Sequence, residues 1–276
     1  MRSLQDAGIP LPRMFHFCSD SSVIGTPFYV MEFKEGRVFR DPRLPDLTAP
    51  DRAALYLDMN RVLATLHRVN PSSKGLGDFG RSGDYFRRQI DRWSRQYRAS
   101  ETEPIAPIDQ LIEQLPGLVP TNDIVTLVHG DYRLENLIVH PDKPYVTAVL
   151  DWELSTLGHP LADLAYNCLP YWLPSSVRGF GGIRTDDIAS NGIPSEAEYV
   201  HAYLTTTGFT LDGPWGFYIS FSLFRLAAIL QGVLKRAIQG FPTSPDAFER
   251  GRSVRLCAET ALAALNQKMP LTRSEA

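Results

Sequence analysis

An α+β fold with a mostly helical C-terminal lobe is what this sequence predicts, and three observations carry the prediction. Short β-type runs bounded by turn residues fall in two places, before residue 33 and between residues 124 and 150. From residue 49 onward, apolar residues recur at helical spacing through most of the remaining chain. With 276 residues and 43% hydrophobic content, there is apolar material for one large or two small packed domains.

The elements follow in order. Residues 1–7 read as the last turns of a helix, stopped by Gly8 and left through Ile9-Pro10-Leu11-Pro12. Residues 13–33 read as two short strands around the Ser19-Asp20-Ser21-Ser22 turn, and Lys34-Glu35-Gly36 leads onward. Residues 1–33 therefore form a small first region and residues 34–276 a larger, helical second one. Thr48 suits an N-cap with Pro50 in the first turn, and Leu55, Met59, Val62, Leu63 and Leu66 keep helical spacing up to Val69, where Asn70-Pro71 ends the helix. Further helices are expected over 84–98, 160–166, 195–207, 215–239 and 245–266. Residues 124–128, 137–140 and 145–150 read as strands, the last two joined by the Pro141-Asp142-Lys143-Pro144 turn. Residues 178–194 are rich in glycine and polar side chains and read as a loop.

Composition excludes several classes. A net charge of -3 and a pI near 6.1 supply no broad basic surface for nucleic acid or an anionic membrane. Arg87, Arg88, Arg92, Arg95 and Arg98 cluster on one helical stretch; a solvated helix face is the first reading, an anion-binding patch the second. The cysteines Cys18, Cys168 and Cys257 are odd in number and widely spaced, which suggests neither a disulfide framework nor a zinc site. No apolar signal core opens the chain, and the apolar stretch 215–239 is interrupted by Ser220, Ser222, Arg225 and Gln231, as a buried core helix would be. A cytoplasmic protein is expected.

The chemistry concentrates in His129-Gly130-Asp131-Tyr132-Arg133-Leu134-Glu135-Asn136 and in Asp151 of Val-Leu-Asp-Trp-Glu. A carboxylate at a loop turn can accept the proton of an alcohol and aim its oxygen at phosphorus, the role given to Asp131. An amide oxygen and a second carboxylate, both hard ligands, can hold magnesium against phosphates, the role given to Asn136 and Asp151. The predicted hairpin between them folds Asp151 back beside Asn136.

These motifs, with Phe28-Tyr29-Val30-Met31-Glu32, Gly36-Arg37-Val38-Phe39, Pro160 to Tyr166 and Gly192-Ile193-Pro194-Ser195, resemble the aminoglycoside and choline phosphotransferase group, whose fold is similar to that of protein kinases. Within it they resemble the branch found alone in bacteria and fused to acyl-CoA dehydrogenases in animals. The resemblance implies ATP and Mg2+ as cofactors and a small-molecule hydroxyl acceptor, acyl-CoA-like rather than an antibiotic. It makes Asp131 the catalytic base and Asn136 and Asp151 the magnesium ligands. Arg133 takes the place of a loop lysine that touches the transferred phosphate. Met31, Glu32 and Phe33 match the hinge that meets adenine, and Asp163 matches a buried carboxylate that braces the catalytic loop.

The sequence departs from that pattern at its start. Kinase-like folds grip the triphosphate with a glycine-rich turn and a strand lysine, yet no lysine precedes Lys34 and only Gly8 and Gly25 precede Gly36. The expectation is an incomplete N-lobe, from truncation, a late gene start or loss of nucleotide grip, and weak or absent activity in the chain as given. A degenerate binding module is the alternative, and a metal-dependent hydrolase using His129, Asp131 and Asp151 is a third reading. Gly179-Phe180-Gly181-Gly182 reads as a loop over the substrate cleft rather than a phosphate cradle, and His67 as a helix C-terminal cation. His159 stands where the family has aspartate, while Trp152 and Tyr132 read as packing. The acceptor pocket should be built from the helices after Asp151 and the 178–194 loop. Its carboxylates, Asp186, Asp187, Glu196 and Glu198, are too few to favour a polycationic acceptor.

Overall fold

In the computed structural model, which describes residues 1–177, 180–184, 188, 190–241, 245–265 and 267, two strands open the chain. β1 (Met14–Cys18) and β2 (Phe28–Met31) pair antiparallel, with Cys18 opposite Phe28 and Met14 opposite Met31. Upstream, only Arg2–Leu4 form a single 3-10 turn, less helix than expected. Gly8 at φ +74° and the prolines Pro10 and Pro12 turn the chain out of helical geometry.

The first long helix, α1 (Ala49–His67), starts where Thr48 predicts, its hydroxyl accepting the Asp51 amide at 3.3 Å. It ends before Val69, because Asn70 precedes Pro71 and such a residue is pushed out of helical geometry. α2 (Tyr85–Ser100) follows, then α3 (Ala106–Gln114), which the sequence reading did not foresee. With Ile108 and Leu111 as its only fully buried residues, α3 carries too little periodicity to be noticed.

Four short strands then frame the central loops. β3 (Thr126–Val128), β4 (Leu137–Val139) and β5 (Val146–Val149) occupy the expected stretches with frayed ends. β6 (Thr156–Gly158) is additional, and pairs antiparallel with β3 while β4 pairs with β5. The chain before α1 joins this layer: Arg37 and Val139 exchange amide-to-carbonyl bonds of 2.8 and 2.9 Å, and Val149 donates to the Pro10 carbonyl at 2.9 Å.

The remaining helices are α4 (Pro160–Asn167), α5 (Glu196–Thr207), α6 (Trp215–Ile238) and α7 (Ala247–Ala264). Ser195 caps α5 in a capping box with Glu198. α7 was expected over residues 245–266, of which Asn266 lies outside the described residues. α6 is the core: Trp215, Phe217, Phe221 and Phe224 are fully buried, each stabilising the fold by about 1.5–3 kcal/mol. It is long and apolar enough to cross a membrane by length and composition, yet most of it is buried inside the protein. Its packing on α7 requires Gly216, where an added Cβ would lie 1.8 Å from the Ala264 carbonyl oxygen. α2 and α4 flank α6, so the core helix runs directly behind the loop that follows β3.

Candidate active site

The loop of residues 129–136 is pinned at both ends, by the β3–β6 pair before it and the β4–β5 pair after it. Its geometry begins at Gly130, which takes φ +84°, a region open to glycine and costly for other residues. The turn brings Gly130 so close to the 151–155 segment that a Cβ would stand 2.4 Å from the Leu154 carbonyl oxygen.

Asp131 follows, half-buried, and its carboxylate is held by Asn136. The Asn136 Nδ2 donates to Asp131 Oδ2 and to the Asp131 carbonyl, each at 2.8 Å. That commitment leaves the amide oxygen of Asn136 as the end available to a cation. The β4–β5 register, Leu137 opposite Val149, together with the 2.8 Å bond from the Leu150 amide to the Asn136 carbonyl, sets Asp151 at the same end of the hairpin as Asn136. Asp151 is exposed and adopts φ +65°, in the left-handed region, at the turn that follows β5. A carbonyl oxygen and an exposed carboxylate are the hard, oxygen-only donor set magnesium takes when phosphates complete its shell.

His129 ties the two segments together. Its Nε2–H donates to the Leu150 carbonyl at 2.9 Å and its Nδ1 accepts the Asp131 amide at 3.2 Å, with the Trp152 ring 4.8 Å away. Burial holds its pKa below the usual value, which keeps the neutral tautomer that both bonds require. Both ring nitrogens being engaged, His129 is not a metal ligand, and no group of three His, Cys, Asp or Glu side chains able to hold a metal occurs among the described residues. The hydrolase reading is set aside on that geometry.

Behind the loop, Asp163 on α4 accepts the His129 amide at 2.6 Å and the Gly130 amide at 2.9 Å. Burial alone would raise its pKa; the hydrogen bond and charge of His67 and the amide of His129 outweigh burial and hold it below the ordinary carboxylate value. His67 corrects the sequence reading. It is no exposed helix-end cation but a buried side chain, with Nδ1 2.5 Å from the Tyr203 hydroxyl and Nε2 3.2 Å from Asp163 Oδ2.

Arg133 is paired with Glu135 and stacks on Phe180 with 4.3 Å between guanidinium carbon and ring centroid. Tyr132 packs in the core with its hydroxyl on the Met59 carbonyl, and Trp152 Nε1 donates to the Val149 carbonyl, so packing accounts for both. His159 caps α4: its Nδ1 accepts the Leu161 amide at 3.3 Å while Nε2 faces the Asn122 carbonyl at 3.2 Å, a capping duty an aspartate also performs.

At the other end, Met31 closes β2, Phe33 is almost fully exposed, and Glu32 donates its amide to the Arg13 carbonyl at 2.8 Å. The Glu32 carboxylate accepts the Arg13 amide at 2.9 Å and pairs with Lys34 at 3.0 Å. Any adenine contact from this stretch falls to main-chain groups other than the Glu32 amide.

Two residues at the site were not given roles from sequence. Tyr166, one turn after Asp163 on α4, lies beside the Asp131 carboxylate; burial first, then that negative charge, raises its pKa above the ordinary phenol value. Arg225 on α6 donates to the Gly130 carbonyl and lies 4.9 Å from the Tyr166 ring centroid. The first had a legible signal, its three-residue spacing from Asp163 on one helix face. An arginine in the middle of the most apolar helix was the signal for the second.

Beside Arg133, Tyr56, Tyr166, Tyr171, Phe180 and Tyr199 line an aromatic chamber of only about 40 Å³, room for a water and not for an acceptor. It adjoins a cleft of about 550 Å³ bordered by Arg40, Arg43, Glu135, Phe180, Gly182 and Arg250. Phe180, Gly181 and Gly182 border this cleft; Arg178, Gly179, Asp186 and Asp187 lie outside the described residues. Of the two other carboxylates expected near an acceptor, Glu196 accepts from the indoles of Trp172 and Trp215 at 2.6 and 2.8 Å, and Glu198 closes the α5 capping box.

Known proteins resemble this chain in sequence and in fold. Residues 1–198 match the model of the phosphotransferase enzyme family. The chain is 48% identical over 261 residues to mouse acyl-CoA dehydrogenase family member 10, covering 95% of this chain and 24% of that protein, so it spans about a quarter of this relative's length. A solved Ralstonia eutropha JMP134 protein, assigned provisionally to aminoglycoside phosphotransfer, superposes with a TM-score of 0.89 at 45% identity, covering 95% of this chain and 80% of the other. Aminoglycoside phosphotransferase APH(4)-Ia, in a ternary complex with ADP and hygromycin B, matches with a TM-score of 0.62 at 14% identity over 95% of this chain and 80% of its own, a likeness of kinase-like fold.

Proposed function

The chain belongs to the phosphotransferase enzyme family, and from that premise we propose that it transfers the γ-phosphate of ATP to a hydroxyl of a small molecule. The observation that carries this reading is the Asp131–Asn136 pair, 2.8 Å apart, set at the hairpin end that also presents Asp151. In this reading Asp131 accepts the acceptor's hydroxyl proton through the oxygen that Asn136 leaves free. Asn136 and Asp151 would hold magnesium. When bound, that ion neutralises charge developing on the phosphates. Arg133, stacked on Phe180 and oriented by Glu135, presents donors on the acceptor side of Asp131, and Tyr166 fixes the base from behind.

For the acceptor, an acyl compound with a hydroxyl, such as a hydroxyacyl-CoA, fits better than a polycation. Support comes from the cleft of about 550 Å³ that adjoins Arg133, where Phe180 and Val177 give apolar wall and Arg40 a cation while Arg43 and Arg250 pair with Asp41 and Asp246, and from the name of the mouse relative. A second reading is nucleotide binding without turnover: Lys34, which lies after β2 and pairs with Glu32 at 3.0 Å, is not placed to take the phosphate-gripping role of a strand lysine. The residue division expected from sequence, a first region of 1–33 and a second of 34–276, would place the nucleotide between them.

Calorimetric titration of Mg·ATP into this chain and into Asp151→Asn tests the proposal. Metal-dependent binding that Asp151→Asn loses, followed by transfer to a hydroxyacyl acceptor, is expected. Binding without transfer to any hydroxyl would establish the second reading, and no binding at millimolar nucleotide would overturn both.

A further inference from the structure

Arg225 is the one buried arginine among the described residues, 6% exposed, on the most apolar of their helices. A buried guanidinium is ordinarily matched by a carboxylate, because an unpaired charge in the interior is costly. Among the described residues Arg225 has no ion pair. One terminal nitrogen donates to the Gly130 carbonyl, its Nε has no partner, and the rings of Trp93 and Tyr166 lie 5.5 and 4.9 Å from the guanidinium carbon.

The side chain borders a cavity of about 270 Å³ between α2 and α6, behind the catalytic loop and separate from the aromatic chamber at Arg133. Arg92 and Gln89 of α2 and the hydroxyl-bearing Ser155 and Thr156 line the same cavity. Arg92 belongs to the arginine cluster that composition alone left as either a solvated face or an anion patch. Arg88 donates to the Arg81 carbonyl at 2.7 Å and Arg98 pairs with Asp109 at 2.6 Å, and of the five arginines of the cluster Arg92 alone borders the cavity, its side chain also exposed. Among the described residues Glu153 is the one carboxylate at the cavity, and it is exposed.

We infer that this cavity is an oxyanion site, taking a carboxylate or phosphate group between Arg225 and Arg92. The inference follows from the unmatched buried cation, its unpartnered Nε and the second arginine on the opposite wall. A guanidinium offers a planar pair of donors to such an oxyanion. Because the same guanidinium holds the Gly130 carbonyl, a bound anion is one residue from Asp131 and neutralises the charge that α6 carries behind the catalytic turn. The oxyanion is either part of the acceptor or a separate small anion.

The test is calorimetric titration of inorganic phosphate at constant ionic strength, without metal or nucleotide, into the full chain, Arg92→Gln and Arg225→Lys. Saturable binding is expected, weakened about tenfold by Arg92→Gln and at least as much by Arg225→Lys. Arg92 is exposed, so its variant stays folded and carries the test even if Arg225→Lys does not. Absence of saturable binding at tens of millimolar phosphate, or equal binding in all three proteins, overturns the site. Displacement of phosphate by Mg·ADP overturns it too, since the anion would then occupy the nucleotide cleft. Acetate binding with the same variant pattern marks a general oxyanion site, and loss of that binding on adding a hydroxyacyl-CoA marks the anion as the acceptor's own. Failure of Mg·ATP to bind leaves this titration unaffected, which separates it from the proposed phosphotransfer.

Discussion

Asp163 holds Gly130 by its main chain: one carboxylate oxygen accepts the Gly130 amide at 2.9 Å, while the other serves the His129 amide at 2.6 Å and His67 at 3.2 Å. All three donors are buried, so the carboxylate satisfies groups that water cannot reach. In Asp163→Asn one oxygen becomes an amide nitrogen that cannot accept, and a buried N–H is left facing another donor. A loss of about 3 kcal/mol is expected, read by urea unfolding at pH 7. A change under about 0.5 kcal/mol, the range of ordinary surface substitutions, would show the loop to be held from elsewhere.

Asp131→Asn separates binding from chemistry. The amide keeps an oxygen for the Asn136 Nδ2 but cannot take a proton, so transfer should fall by about 10²–10⁴-fold while Mg·ATP affinity stays near that of the parent. Paired measurement of phosphate transfer and calorimetric affinity checks this. Equal loss of both would mean that Asp131 organises the pocket rather than acting on the hydroxyl.

Gly130→Ala places a methyl 2.4 Å from the Leu154 carbonyl oxygen at φ +84°. Gly208 ends α5 at φ +73° with nothing within 4 Å of an added Cβ, so Gly208→Ala meets backbone strain alone, about 1–2 kcal/mol. Thermal unfolding should therefore rank Gly130→Ala well below Gly208→Ala. The gap measures how tightly the turn at Gly130 is pressed on the 151–155 segment. Similar melting temperatures would refute that close packing.

Local signals made much of this protein legible. Thr48 announced its helix by capping, and the His129 to Asn136 run and Asp151 were readable because a short hairpin brings them together without help from the rest of the chain. Contacts that depend on distant crossings were not readable. His67 sits at a helix end, where sequence suggests an exposed cation, and only the packing of α1 against α5 and β3 buries it between Tyr203 and Asp163. Arg225 and Gly130 lie 95 residues apart and meet only because α6 runs behind the loop. β6 escaped notice because Thr156–Gly158 is three residues long and takes its strand character from pairing with β3.

His159 is a pH-dependent element of stability. Burial, against the opposing hydrogen bond to the Asn122 carbonyl, lowers its pKa to about 4 from an ordinary 6.5. The neutral ring is what the fold uses: Nδ1 must be unprotonated to accept the Leu161 amide at the start of α4. Between those two values the unfolded chain binds the proton and the folded chain does not, so stability is full above pH 6.5 and falls as pH drops toward 4. At about 1.4 kcal/mol per pH unit the loss reaches roughly 3 kcal/mol at the lower end. His159→Asn keeps a capping oxygen and does not titrate. Urea unfolding at pH 7 and pH 5 should therefore show a steep loss in the parent and a shallower one in the variant. Parallel losses in the two proteins would assign the acid sensitivity to other groups and leave α4, with Asp163 and Tyr166 on it, independent of this histidine.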